Sequence, residues 1–196
     1  MTEERRGSGG MRVSDPKVMR ALAHPARIEI IDYLNSSGAV VTATECAGMV
    51  GLSPSATSYH LRELAKYGLV EQAPSRGDGR ERVWRSAGAG LRIKGDYSWP
   101  EAREAEQALV DAYLTRDFNR ARAWAHRQGE EPAEWREASV LFTTKLLVTA
   151  EELTELSEQI EALINPYRMR DRREDAPEGA RQVVTHYSAF PAEGDG

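Results

Sequence analysis

Residues 52–68 read LSPSATSYHLRELAKYG, and they spell a short amphipathic helix with a marked start and a marked stop. Ser53 has an N-cap side chain, and Pro54 suits the first helical position, where its missing N–H would have no partner anyway. Thr57, Leu61, Leu64 and Ala65 recur at helical spacing and form one inward stripe. Gly68 can turn left-handed at little steric cost and so ends the helix. The other face carries Ser55, Ser58, Tyr59, Arg62 and Lys66, small donors towards the N-terminus and cations towards the C-terminus. A helix lying in the major groove of DNA needs that distribution, because small polar tips reach base edges while cations hold phosphates. A solvated surface helix shows the same pattern, so the neighbouring residues decide between the two.

Immediately upstream, Thr42 and Glu45 match a capping box, Ala43, Ala47 and Val50 mark a short helix, and Gly51 closes it. Two short helices joined by residues 51–53 make a helix-turn-helix whose second helix is placed to read. Downstream, residues 69–73 and 80–85 are strand-like, and the intervening PSRGDG (74–79) is turn chemistry, which predicts a β-hairpin. A hairpin directly after a reading helix is a wing, with Arg76, Arg80 and Arg82 on or near it. The candidate DNA contacts are therefore Ser53, Ser55, Ser58, Tyr59, His60, Arg62 and Lys66 of the helix and Arg76, Arg80 and Arg82 of the wing. Within that set His60 has two readings, a phosphate contact or a residue packed beneath the helix, and the second is preferred.

Residues 15–86 resemble the ArsR-type winged-helix repressors. The likeness rests on ALAHPARI at 21–28, Leu52-Ser53 followed by Ser58, His60, Leu61 and Leu64, then Gly68-Leu69-Val70, and Gly79-Arg80 ahead of Val83-Trp84-Arg85. The resemblance implies a dimeric regulator of transcription that binds double-stranded DNA. Metal-sensing members of that family use paired cysteines in or near the helix before the reading helix, or Asp/His clusters on a terminal helix. Here Cys46 stands alone, and residues 96–196 contain no Asp-x-His. Cys46 is thus expected to be a small core residue rather than a thiolate switch, with no metal and no cofactor.

The composition, 29% charged and 40% hydrophobic, is that of a soluble globular protein. One cysteine excludes an intramolecular disulfide framework and fits a reducing cytoplasm. No apolar run reaches transmembrane length, so no membrane partner is expected. The net charge of −5 looks wrong for a DNA binder until it is divided. Residues 1–95 carry 14 Lys/Arg against 10 Asp/Glu, and residues 96–196 carry 12 against 21. The reading half is basic and the remainder acidic, so phosphate binding should be modest and sensitive to salt. His24, His60, His126 and His186 are scattered, and no phosphate loop or nucleophile elbow occurs, which argues against an enzyme.

Around this centre the chain divides into three parts: a disordered arm (1–14), a winged helix-turn-helix (15–95) and a dimerisation and ligand-binding region (96–196). Asp15-Pro16 opens a helix to residue 23, and Pro25 opens another with Ile28, Ile31, Tyr33 and Leu34 on its buried face. His24, at the break, is expected to cap or bridge the turn rather than to sense. Residues 87–90 and 95–96 look like a hinge, with Leu91 and Ile93 in a short strand between them. Ser98 and Pro100 open a long helix towards residue 127, in the resembling family a common dimerisation element. Residues 137–148 alternate with period two and predict a strand, Thr149 and Glu152 form a second capping box before a helix to residue 164, and residues 182–190 predict a last strand. The expected fold is mainly α with a β-hairpin wing, followed by a C-terminal α+β region of long helix and strand–helix–strand. Such a unit suits either packing of a partner subunit or enclosure of a small-molecule effector, and the sequence does not choose between them. Two other functions stay open: a winged helix serving as a protein-interaction module, and a small-molecule sensor whose acidic half controls DNA affinity.

Overall fold

Helix caps written into the sequence open four of the first six elements, and the computed structural model, which describes residues 11–75, 81–88, 90–93 and 99–192, shows them made. After β1 (Met11–Val13), Asp15 accepts the amide of Lys17 at 2.8 Å and opens α1 (Pro16–Leu22). His24 then caps α2 (Pro25–Ser37), its Nδ1 accepting the amide of Ala26 at 3.2 Å, so its role is the structural one. After β2 (Val41–Thr42), Thr42 and Glu45 close the expected capping box on α3 (Ala43–Val50). Gly51, at a φ of 70°, ends α3, and Ser53 caps α4 (Pro54–Lys66) by accepting the amide of Ala56 at 3.2 Å. Gly68 follows α4 at a φ of 67°, a left-handed conformation open to glycine and strained for most other residues.

The hairpin is present. β3 (Val70–Ala73) pairs antiparallel with β4 (Val83–Ser86), and β4 also takes β2 on its other edge, giving the order β2-β4-β3. Sequence periodicity did not disclose β2, since two residues carry no alternation. β5 (Leu91–Ile93) is the short strand expected there, but its partner is β1, in parallel, with Met11 opposite Leu91 and Val13 opposite Ile93. The arm expected to be disordered to residue 14 therefore has a strand at its end, with Val13 buried. A three-residue strand whose partner lies some eighty residues away leaves no local signal.

The chain forms two compact units, one ending at Arg116 and the other beginning at Asp117, and α5 (Pro100–Arg127) runs from the first into the second. In the first unit α4 packs against α1, α2, α3 and β3. Ile28, Ile31, Leu34, Leu61, Leu64 and Leu69 form the core, and Ala105 and Leu109 of α5 belong to the same cluster. Arg116 pairs with Asp32 of α2 at 3.4 Å and stacks over Tyr113. Ala102 and Ala105, two of the small residues of α5, are buried and serve packing within the chain, whereas Ala121 is exposed.

The second unit is helical: α6 (Ala133–Ala138), α7 (Ala150–Ile164) and the short α8 (Met169–Arg172). Thr149 and Glu152 make the expected capping box of α7. Neither expected C-terminal strand is present, so the α+β reading of this region is corrected to helical, and residues 133–138 are a helix where the sequence showed only polarity. Residues 139–149 and 180–192 run without ladder, turn or bend. Alternation favours extended backbone, but a strand also needs a partner for its N–H and C=O groups, and periodicity says nothing about that partner.

Because Leu109 belongs to the first unit's core, Leu109→Ala should lower the stability of that unit by about 2–5 kcal/mol. Val110→Ala, at a half-exposed neighbouring site, should change it by less than about 0.5 kcal/mol. Denaturant unfolding of both variants checks the contrast.

Candidate nucleic-acid interface

The inner stripe of α4 sets what its outer face can do. Thr57, Leu61 and Leu64 are fully buried, and Ala65 packs on the same core. A helix so anchored cannot roll, so the opposite residues point outward in a fixed order. Ser55, Tyr59, Arg62 and Lys66 are exposed and Ser58 is half-buried. Ser53 is exposed too, but its hydroxyl already caps the helix and lies 3.2 Å from that of Ser55.

Ser58 and Arg62 line an open cleft of about 180 Å³ together with Thr44 of α3 and Arg82 and Trp84 at the base of the wing. The structure thereby gathers three sequence-derived candidates, Ser58, Arg62 and Arg82, on one surface. Arg76 and Arg80 lie outside the described residues. Thr44 is a lining residue that the sequence reading overlooked, although its place in the first turn of a capped helix was a usable signal. Arg85 of the wing is bonded to Glu71 across the strand pair at 2.7 Å. Lys66 is paired with Glu63, and that contact holds the carboxyl below its ordinary range and raises the ammonium above its own. With its ammonium so exposed, the pair is weak in water.

His60 faces inward. It is 8% exposed, its ring centroid lies 4.7 Å from that of His24, and its Nδ1 has no hydrogen-bond partner among the described residues. Burial lowers its pKa below the ordinary histidine value, and the nearby His24 and Arg27 lower it further against an opposing pull from Glu63. His60 therefore supports α4 from beneath. Cys46 is fully buried in α3, and burial pushes its thiol up to about 11, which fits a core residue.

Residues 22–73 match the family model described as a helix-turn-helix domain, over roughly a quarter of the chain. Residues 22–73 are a helix-turn-helix domain. The likeness of residues 15–86 to ArsR-type regulators agrees with that match, and the β3–β4 hairpin makes the domain a winged one. No curated protein matches the chain. Among solved structures, the homodimeric winged helix-turn-helix DNA-binding domain of a possible ArsR-family transcriptional regulator from Mycobacterium bovis is similar at 24% identity, over 51% of this chain and 81% of that one, with a TM-score of 0.32. A zinc-responsive MarR family member from Lactococcus lactis is similar at 15% identity, over 73% and 75%, with a TM-score of 0.31. A Mycobacterium tuberculosis MarR family protein in complex with salicylic acid is similar at 20% identity, over 76% and 85%, with a TM-score of 0.28. Overlaps of this quality carry no conclusion for this chain. No helix among the described residues is long and apolar enough to cross a membrane.

Two measurements test the residues beneath the reading face. Since the folded pKa of His60 lies below the unfolded value of 6.5, its contribution to stability is complete above that pH and is lost as pH falls below it. The melting temperature should drop as pH falls below about 6.5, and His60→Gln should flatten part of that drop. The Cys46 thiol should resist a thiol-specific reagent in the folded protein and react fully in denaturant.

Proposed function

We propose that this winged helix-turn-helix protein represses transcription by binding a pseudo-palindromic operator as a homodimer. The observation that carries the reading is the shared surface of Ser58 and Arg62 on α4 with Arg82 at the wing, next to exposed Ser55 and Tyr59. On this reading Ser55, Ser58, Tyr59 and Arg62 meet base edges. Lys66 and the wing arginines, Arg82 with Arg76 and Arg80, hold phosphates or enter a narrow minor groove. Dimerisation follows from the small reach of one such helix, which reads only a few base pairs, so that a second half-site provides the remaining discrimination. Residues 96–196 serve as the dimerisation part and as a place for a small-molecule effector, and the protein works in the cytoplasm.

Genomic fragments selected by the purified protein supply the operator. A salt titration of operator and random duplex then separates the two kinds of contact. Arg62→Ala should weaken operator binding by about 1–3 kcal/mol and leave random DNA almost unchanged. Arg82→Ala should weaken both and reduce the slope of log affinity against log salt by roughly one. Unchanged operator binding in both variants would mean that this face does not read DNA.

A further inference from the structure

Two stretches of the second unit lack regular structure, and they differ in how they are held. Residues 181–187 are tied down in the chain. Arg181 pairs with Glu131 at 2.9 Å, His186 Nδ1 lies 3.1 Å from Asp117, and the Tyr187 hydroxyl lies 3.3 Å from that of Ser157. Residues 140–148, VLFTTKLLV, make no hydrogen bond or ion pair among the described residues, on backbone or side chain. The segment runs without a bend between extended residues at Ser139 and Thr149. Its apolar side chains stand in solvent, with Phe142 at 75% exposure, Leu141 at 89% and Leu147 at 102%.

An unpaired edge of this length, with six large apolar residues, is a template for another strand. The sequence itself indicates which strand fits. VLFTTKLLV reads apolar triplet, polar triplet, apolar triplet, and it is therefore its own complement when run antiparallel. With Thr144 on a two-fold axis, Val140 faces Val148, Leu141 faces Leu147, Phe142 faces Leu146 and Thr143 faces Lys145. Directly opposite residues share a face, so Val140, Phe142, Leu146 and Val148 of both strands flank the central Thr144 pair on one side. A shift of one residue either way sets Phe142 against Lys145 or Thr143 against Leu146. Only the centred register matches every apolar residue with another, and isologous pairing about a two-fold is the form that a homodimer requires.

We propose that residues 140–148 pair antiparallel with residues 140–148 of a second copy of this chain, centred on Thr144. The inference deepens the homodimer part of the proposed function and rests on it. Pairing satisfies the facing half of the open backbone groups of both copies and covers one edge of each strand.

Full-length protein carrying Cys46→Ala provides a thiol-free background for the test. In it, Thr144→Cys should give a covalent dimer under mild oxidation, because opposite Cβ atoms lie about 4.5–5.5 Å apart. Leu141→Cys alone should cross-link at least tenfold more slowly, since six residues of offset put its own copy about 20 Å away. Mixing Leu141→Cys with Leu147→Cys protein should restore fast cross-linking. Thr144 lies on the surface, so the substitution leaves folding intact, and light scattering on the same samples gives the mass. A dimeric mass without fast Thr144→Cys cross-linking, or with Leu141→Cys reacting as fast, overturns the strand pair and leaves the dimeric regulator standing. A monomeric mass overturns both, and operator binding measured alongside shows whether DNA reading survives.

Discussion

The seating of α4 on Leu61 and Leu64 is the constraint on which the rest of the first unit depends. Both side chains are fully buried among residues of α1, α2 and α3 and Leu69, and they fix which face of α4 meets solvent. Everything that the outer face offers follows from that. Ser58 and Arg62 come to lie beside Arg82 because the hairpin leaves α4 through Gly68 and returns along β4, whose Trp84 is packed into the same core. Removing the inner stripe would leave the polar face chemically intact and spatially undefined.

Where a structural choice is local, it was legible in the residues. Asp15, His24, Thr42, Ser53 and Thr149 each accept an amide two or three positions ahead, so five helix starts were readable without any long-range information. The reading face was legible for the same reason, since a helix period separates Thr57, Leu61 and Leu64 from Ser55, Tyr59 and Arg62. Illegible were the contacts made at a distance. β1 and β2 are too short to alternate, and each pairs with a strand forty or more residues on. Thr44 joins the cleft only through the packing of α3 beside α4. Residues 137–148 and 182–190 carry a true period-two signal, yet residues 133–138 form α6 and neither 139–148 nor 182–190 joins a ladder. Period two reports a preference for extended backbone and is silent about the partner.

Charge is unevenly spread along the chain, and its division at residue 95 falls ahead of the structural one at Arg116. The basic excess sits in the half that carries α4 and the wing, and the acidic excess in residues 96–196, where α7 alone presents Glu151, Glu152, Glu155, Glu158 and Glu161. A DNA duplex is therefore attracted to one part of the chain and repelled by the other, which favours one orientation of approach at low salt. On the proposed reading, short-range matching at Ser55, Ser58, Tyr59 and Arg62 supplies the discrimination.

The central claim is that the outward face of α4 is where this protein meets DNA. Backbone amide chemical shifts followed through a titration with a selected genomic duplex test it most directly. The account predicts that the largest shifts fall on residues 53–66 and 81–85, with the core residues around Ile31 and Leu34 little affected. Shifts confined to residues 117–192, with α4 unmoved at saturating duplex, would contradict it.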